Sequence, residues 1–268
     1  MAGPAGIGGG GIGLILVVLV VSWLTGQNPL TLLQMAGGVP DQAPADETVA
    51  TGAPTGDPQA EFVSVVLADL EDTWGRVLPE SGRQYQAPVL VLFTDAVQSA
   101  CGSASAASGP FYCPSDQKVY LDLSFFRELD KRFGAPGDFA QAYVVAHEVG
   151  HHVQNLLGIN AQVSRAQRQA SETQGNALSV RLELQADCLA GVWGHNAAER
   201  KLLDEGDVDE GLQAAASIGD DRLQRQSGGR VSPESFTHGT SAQRAKWLRL
   251  GLSTGRVDSC DTFRASPL

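Results

Sequence analysis

The sequence predicts an α+β chain, mostly helical with a small sheet, carried behind a single N-terminal transmembrane helix. Three observations predict it. An uncharged apolar stretch opens the chain, and no ionisable side chain precedes Asp41. Two short β-rich runs come next, and from there to the C-terminus apolar residues recur at helical spacing. Strands followed by a run of helices read as α+β rather than as alternating βαβ units.

The first element spans residues 7–26, with the core I-G-L-I-L-V-V-L-V-V-S-W-L from Ile12 to Leu24. It approaches the roughly 20 residues that cross a bilayer. Neither Lys nor Arg precedes it, so both the basic start of a cleaved signal and the positive-inside cue are missing. We read it as an uncleaved anchor, with a cleaved secretory signal as the alternative. Residues 27–60 are rich in Pro, Gly, Ala and acid without periodicity and read as a flexible linker. The folded domain is then expected over 61–268.

Within that domain, Glu61 to Leu78 is an amphipathic helix. Ala87 to Phe93 and Lys118 to Leu123 are strands, and the Gly/Ser/Pro-containing stretch Ala100 to Pro114 between them is a loop. A short helix follows over Ser124 to Phe133. The next helix is expected to start at Asp138 as N-cap, paired with Gln141 three residues on, and to stop at Gly158. Further helices are expected over Ala161 to Gln174, Asn176 to Gly194, Val208 to Gln226 and Ser241 to Leu250.

The charge balance, 19 basic against 30 acidic residues for a net −11, has no run of Lys or Arg to track a phosphate backbone and excludes nucleic acid as an expected partner. The four cysteines include no C-x-x-C. Behind a translocation signal they read as disulfides, Cys101 with Cys113 across the small-residue loop and Cys188 with Cys260. Four buried thiols are the alternative if the domain is cytoplasmic.

The chemistry sits in His147-Glu148-Val149-Gly150-His151, an H-E-x-x-H within the helix that starts at Asp138. Residues four apart share a helix face, so both imidazoles can hold one zinc ion, while Glu148 flanks them and can take a proton from water. A catalytic zinc site needs a third protein ligand, and the candidate is Glu183. Asp187 lies one turn on, placed to accept the free ring N–H of a ligating histidine. Of the other histidines, His152 points away from His151 and reads as structural, and His195 as a helix-end residue. His238 precedes a helix and is a candidate to stabilise an oxyanion, with structural hydrogen bonding as its plainer role. Tyr143 and Tyr112 are weaker candidates for the same task.

These blocks, A-C-G-S-A-S-A-A-S-G-P-F-Y-C-P-S-D-Q-K-V-Y-L-D, A-H-E-V-G-H-H-V-Q, R-L-E-L-Q-A-D-C-L-A-G-V-W and F-T-H-G-T-S-A-Q-R, resemble the neutral zinc metallopeptidases of bacteria, over about Phe62 to Phe263. The resemblance implies a zincin-like fold, a zinc ion, and a single membrane span bearing an extracytoplasmic domain at the cell membrane. Its E-x-x-A-D segment, similar to that of membrane-associated gluzincins, puts the ligand role on Glu183 and the histidine-holding role on Asp187. The missing basic residues before the span depart from the family pattern.

The function expected is a zinc-dependent endopeptidase acting on protein or peptide, with Glu148 as general base. Two alternatives stay open: a membrane-tethered binding or assembly factor with structural zinc, and a zinc hydrolase of a non-peptide amide. No feature of the sequence speaks to oligomeric state.

Overall fold

A computed structural model describes residues 56–94, 96–105 and 109–268. The expected membrane span and all of the linker before Gly56 lie outside the described residues. Among the described residues no helix is long and apolar enough to cross a membrane.

Helix α1 (Pro58–Val77) begins three residues before the expected domain start, because Asp57 accepts hydrogen bonds from the backbone N–H groups of Gln59 and Ala60 and Pro58 opens the first turn. Its buried stripe is Ala60, Val63, Val66, Leu70 and Trp74. Asp69 and Thr73 on the same helix take hydrogen bonds from Arg200, and Asp69 also from the Trp193 indole, fastening α1 to the long helix described below.

Strand β1 (Val89–Phe93) pairs in parallel with β5 (Lys118–Asp122), register Val89 to Lys118, and β4 (Phe111–Cys113) pairs antiparallel with β5 on its other side. The order is β1-β5-β4, so β5, the most buried strand, is central. Strands β2 (Ala96–Ser99) and β3 (Gly102–Ser105) form a separate hairpin. The expected loop from Ala100 to Pro114 therefore contains two strands. Its small, turn-forming residues carry no alternation, and β4 has only three residues, so pairing with β5 rather than local propensity decides its conformation. The Cys101–Cys113 disulfide ties the hairpin to β4.

Helix α2 (Ser124–Lys131) follows a turn at Asp122, whose Oδ1 accepts from the Ser124 N–H at 2.7 Å. Helix α3 (Asp138–Leu156) is buried on nearly every side and carries the H-E-x-x-H. Its expected cap is corrected. Asp138 is already helical, Gly137 precedes it at φ 114°, and no side chain of this segment caps the end. Instead the Glu210 carboxylate stands at the helix start, where a Cβ on residue 137 would lie 1.9 Å from it. A distant carboxylate thus takes the dipole-compensating place that sequence assigned locally.

Helix α3 gives way at Gly158, at φ 79°, to α4 (Ile159–Gln167). Helix α5 (Glu172–Glu199) starts earlier than expected, at a capping box formed by Ser171 and Gln174, and so shortens α4. The helix expected over 208–226 is two, α6 (Asp207–Ser217) and α7 (Asp220–Gln226), because a Cβ at Gly219 would lie 2.3 Å from the Ser241 nitrogen: the chain bends where another backbone passes. Helix α8 (Ser241–Thr254) has its own capping box, Thr240 with Gln243. The second disulfide, Cys188–Cys260, joins α5 to the C-terminal segment. The fold is mostly helical α+β with a small sheet.

Candidate metal centre

On α3, Tyr143, Val144, His147, Glu148 and His151 line one wall of a cavity of about 550 Å³. Their spacing of three and four residues is that of a single helix face. The facing wall is α5, which comes close because Gly150, between the two histidines, has no side chain: a Cβ there would sit 3.0 Å from the Ala186 carbonyl oxygen. Glu183 and Asp187, one turn apart on α5, are thereby delivered to the two imidazoles.

His147 Nε2 lies 3.1 Å from Glu183 Oε2, and His151 Nε2 lies 3.4 Å from Glu183 Oε1. Zinc–nitrogen and zinc–oxygen bonds of about 2.0–2.1 Å in a tetrahedron require donor separations of about 3.3 Å. The observed spacing matches that edge, and two imidazoles with one carboxylate is the donor set of a catalytic rather than a closed structural zinc site. The residues present fit a zinc ion.

The histidines are oriented from behind. His147 Nδ1–H donates to Asp187 Oδ1 at 2.9 Å, and His151 Nδ1–H donates to Gln154 Oε1 at 2.9 Å, leaving both Nε2 lone pairs toward Glu183. Gln154 is itself held, donating to the Leu182 carbonyl and to Gln185. Asp187, fully buried, receives a bidentate ion pair from Arg244, with both N···O distances at 2.9 Å, and a 2.5 Å hydrogen bond from the Tyr143 hydroxyl. Arg244 reaches it because α8 crosses α5 in backbone contact at Gly251 and Gly191: a Cβ on Gly251 would lie 2.0 Å from the Cys188 carbonyl oxygen.

These contacts set the protonation states. Burial works against charge on every member. Even so, Asp187 and Glu183 push the imidazole of His147 up to about 10, so a proton and a metal ion compete for the same lone pair. Against the same burial, His151 and His147 hold Glu183 well below the usual carboxylate range, and Arg244 and His147 keep Asp187 low. Glu148 goes the other way: desolvation raises it more than the neighbouring imidazoles lower it, as suits a group that takes up and releases a proton.

The remaining candidates fall into place. His238 is on the cavity wall, half exposed, with Nδ1 held 3.2 Å from Asp220 Oδ1. Tyr143 is committed to Asp187 and Arg244, and the Tyr112 hydroxyl to His152 and Asn155, so neither hydroxyl is aimed at a substrate oxygen. His152 is fully buried and structural, donating from Nε2 to the Gln86 carbonyl. His195 packs near the end of α5, its Nδ1–H on the Leu252 carbonyl. Sequence reading missed Arg244 and Gln154. Each stands inside a block that carries the resemblance, and the signal for Gln154 was its position three residues after a ligand histidine. A second carboxylate trio, Asp138, Asp207 and Glu210, lies at the helix ends, where Glu210 packs against the start of α3 and Asp207 accepts from the Asp204 N–H.

Comparison with known proteins matches residues 1–263 to the family described as "Putative neutral zinc metallopeptidase". The chain belongs to this neutral zinc metallopeptidase family. Within it, the chain is similar to Uncharacterized protein YpfJ of Escherichia coli, 48% identical over 263 residues that span 98% of this chain and 89% of that one. It is also similar to Uncharacterized protein Rv2575 of Mycobacterium tuberculosis, 44% identical over 254 residues, 87% of this chain and 84% of the relative. No solved structure matches.

Proposed function

We propose that this member of the neutral zinc metallopeptidase family is a zinc-dependent endopeptidase of zincin-like fold. The observation that carries the reading is the convergence of His147 Nε2, His151 Nε2 and the Glu183 carboxylate at tetrahedral spacing beside a buried Glu148 that is no part of the trio. Zinc, which His147, His151 and Glu183 would hold, would supply Lewis acidity there, polarising a carbonyl and lowering the pKa of water toward neutral. Glu148 accepts a proton from water as the scissile carbonyl is attacked and returns it to the leaving nitrogen. Asp187, locked by Arg244, keeps His147 in the tautomer that faces the cavity, and Gln154 does the same for His151. His238, on the cavity wall, would offer a ring N–H to the developing oxyanion. The two disulfides support an oxidising compartment, hence a single-pass protein anchored through residues 7–26 with its catalytic domain outside the cytoplasm. Its substrates are protein or peptide.

Glu148→Gln tests this in the full chain. Zinc by elemental analysis should remain near one per chain, while cleavage of an unstructured protein falls about 10²–10⁴-fold. His151→Ala should lose zinc and cleavage together. Undiminished cleavage by Glu148→Gln defeats the mechanism, and no cleavage by the wild type across many substrates favours the binding-factor alternative.

A further inference from the structure

The cavity at the metal centre has two unlike ends. Beyond His151 its wall carries the polar side chains of Asn160, Ser164 and Gln167 on α4. Toward the start of α3 it is apolar. Val144 stands one turn before Glu148, and Phe125, Phe133, Ile218 and Leu223 line the same cavity. Phe125 and Phe133 face each other at 6.2 Å, and Arg222 on α7 donates to the Phe133 carbonyl, which draws the α6–α7 junction onto the same end. Val144 and Phe133 are more than nine-tenths buried, but the three others remain only partly covered. The charges at this end, Glu128 and Arg132, pair with each other at 3.5 Å on the exposed rim.

Protein interiors close over apolar space of this kind, and a persistent apolar recess with a few polar groups at its margin is the form of a ligand pocket. We propose that this compartment selects the substrate: the chain cuts where a large aliphatic or aromatic side chain flanks the scissile bond, and Phe125, Phe133, Val144, Ile218 and Leu223 determine that preference. The proposal rests on the peptidase reading of the site. A charged side chain entering among these apolar groups would lose hydration, whereas a leucine or phenylalanine would bury apolar surface.

The test uses the zinc-loaded full chain and peptide hydroxamates identical except for the side chain next to the hydroxamate: Gly, Asp, Leu or Phe. Affinities are read by calorimetry and, in parallel, cleavage positions are read on a peptide library. Leu and Phe compounds should bind roughly 10- to 100-fold more tightly than Gly, with Asp no tighter than Gly, and cleavage sites should be enriched in the same large apolar residues. Ile218→Trp, which fills the recess, should bring the Phe-to-Gly affinity ratio close to one. Leu223→Trp, at a partly exposed position, repeats the experiment should the first variant fold poorly. Equal affinities across the series, or ratios unchanged in a folded Trp variant, overturn the proposal whether or not peptides are cut. Side-chain discrimination without any cleavage overturns the peptidase reading and leaves the selectivity of the compartment standing.

Discussion

Arg244 is the sharpest test of how the metal centre is built. It is 2% exposed and Asp187 is 0% exposed, with two N···O contacts at 2.9 Å and a third hydrogen bond from Arg244 to the Tyr143 hydroxyl. Arg244→Met keeps most of the side-chain volume but leaves the Asp187 carboxylate buried without its counter-ion. Breaking one partner of a buried pair costs about 3–5 kcal/mol, because the orphaned charge has lost both water and cation. At about 2–4 °C per kcal/mol for a folded unit of this size, the melting temperature should fall by about 6–20 °C. Asp187→Asn in the same chain removes the orphaned charge, so the double variant should be more stable than the two single losses added together predict. Arg244→Lys retains the charge without the two-pronged fork and should fall in between. Thermal unfolding is measured with excess zinc and again with a chelator. Because Asp187 orients His147, zinc affinity of Arg244→Met should drop about 10- to 100-fold. A loss below about 1 kcal/mol, or strict additivity in the double variant, would show that Asp187 does not depend on Arg244 and refute the argument.

Two further predictions concern the scaffold. The Cys188–Cys260 disulfide closes a segment with a sequence separation of 72 and Cys101–Cys113 one of 12, so chain entropy predicts losses of about 4 and about 3 kcal/mol when each pair is replaced by alanine; urea midpoints in that order support it, and the reverse order contradicts it. Asp220 accepts from the backbone of Thr237, His238 and Gly239, and although burial opposes it, these bonds and the His238 ring hold its carboxyl below the usual 3.8. A folded value below the unfolded one means the stabilisation is present above pH 3.8 and lost as pH falls through the folded value. The stability gap between wild type and Asp220→Asn should therefore be constant near neutral pH and close under acid; a gap that widens on acidification would invert the sign and discard the account.

Periodicity located most of the helices because apolar spacing is a property of the chain itself, and the candidate zinc ligands were legible because two of them sit one turn apart in sequence. Boundaries were less legible. The start of α3 reads locally as capped by Asp138, whereas the carboxylate that stands against it, Glu210, is 73 positions downstream of Gly137 (210 − 137) and no local signal links them. The α6–α7 bend was missed because nothing at Ile218–Gly219 breaks a helix by itself; the passing backbone at Ser241 does. Strand β4 was read as loop because three residues are too few to show alternation.

By itself the sequence determined the α+β class, the pair His147 and His151 on one helix face and Glu148 beside them; it offered the cysteine pairing with free thiols as the alternative, and the structure holds both bonds. The class, the pair and Glu148 follow from local spacing and from the chemistry of the side chains. The tertiary structure brings Glu183, already named from the sequence, within reach of both imidazoles, and it alone recruited Gln154 behind His151 and Arg244 behind Asp187. The apolar recess was likewise beyond sequence reading. These depend on how closely helices approach, and that is set by glycines 150, 191 and 251, whose missing side chains let backbones touch across segments far apart in the chain.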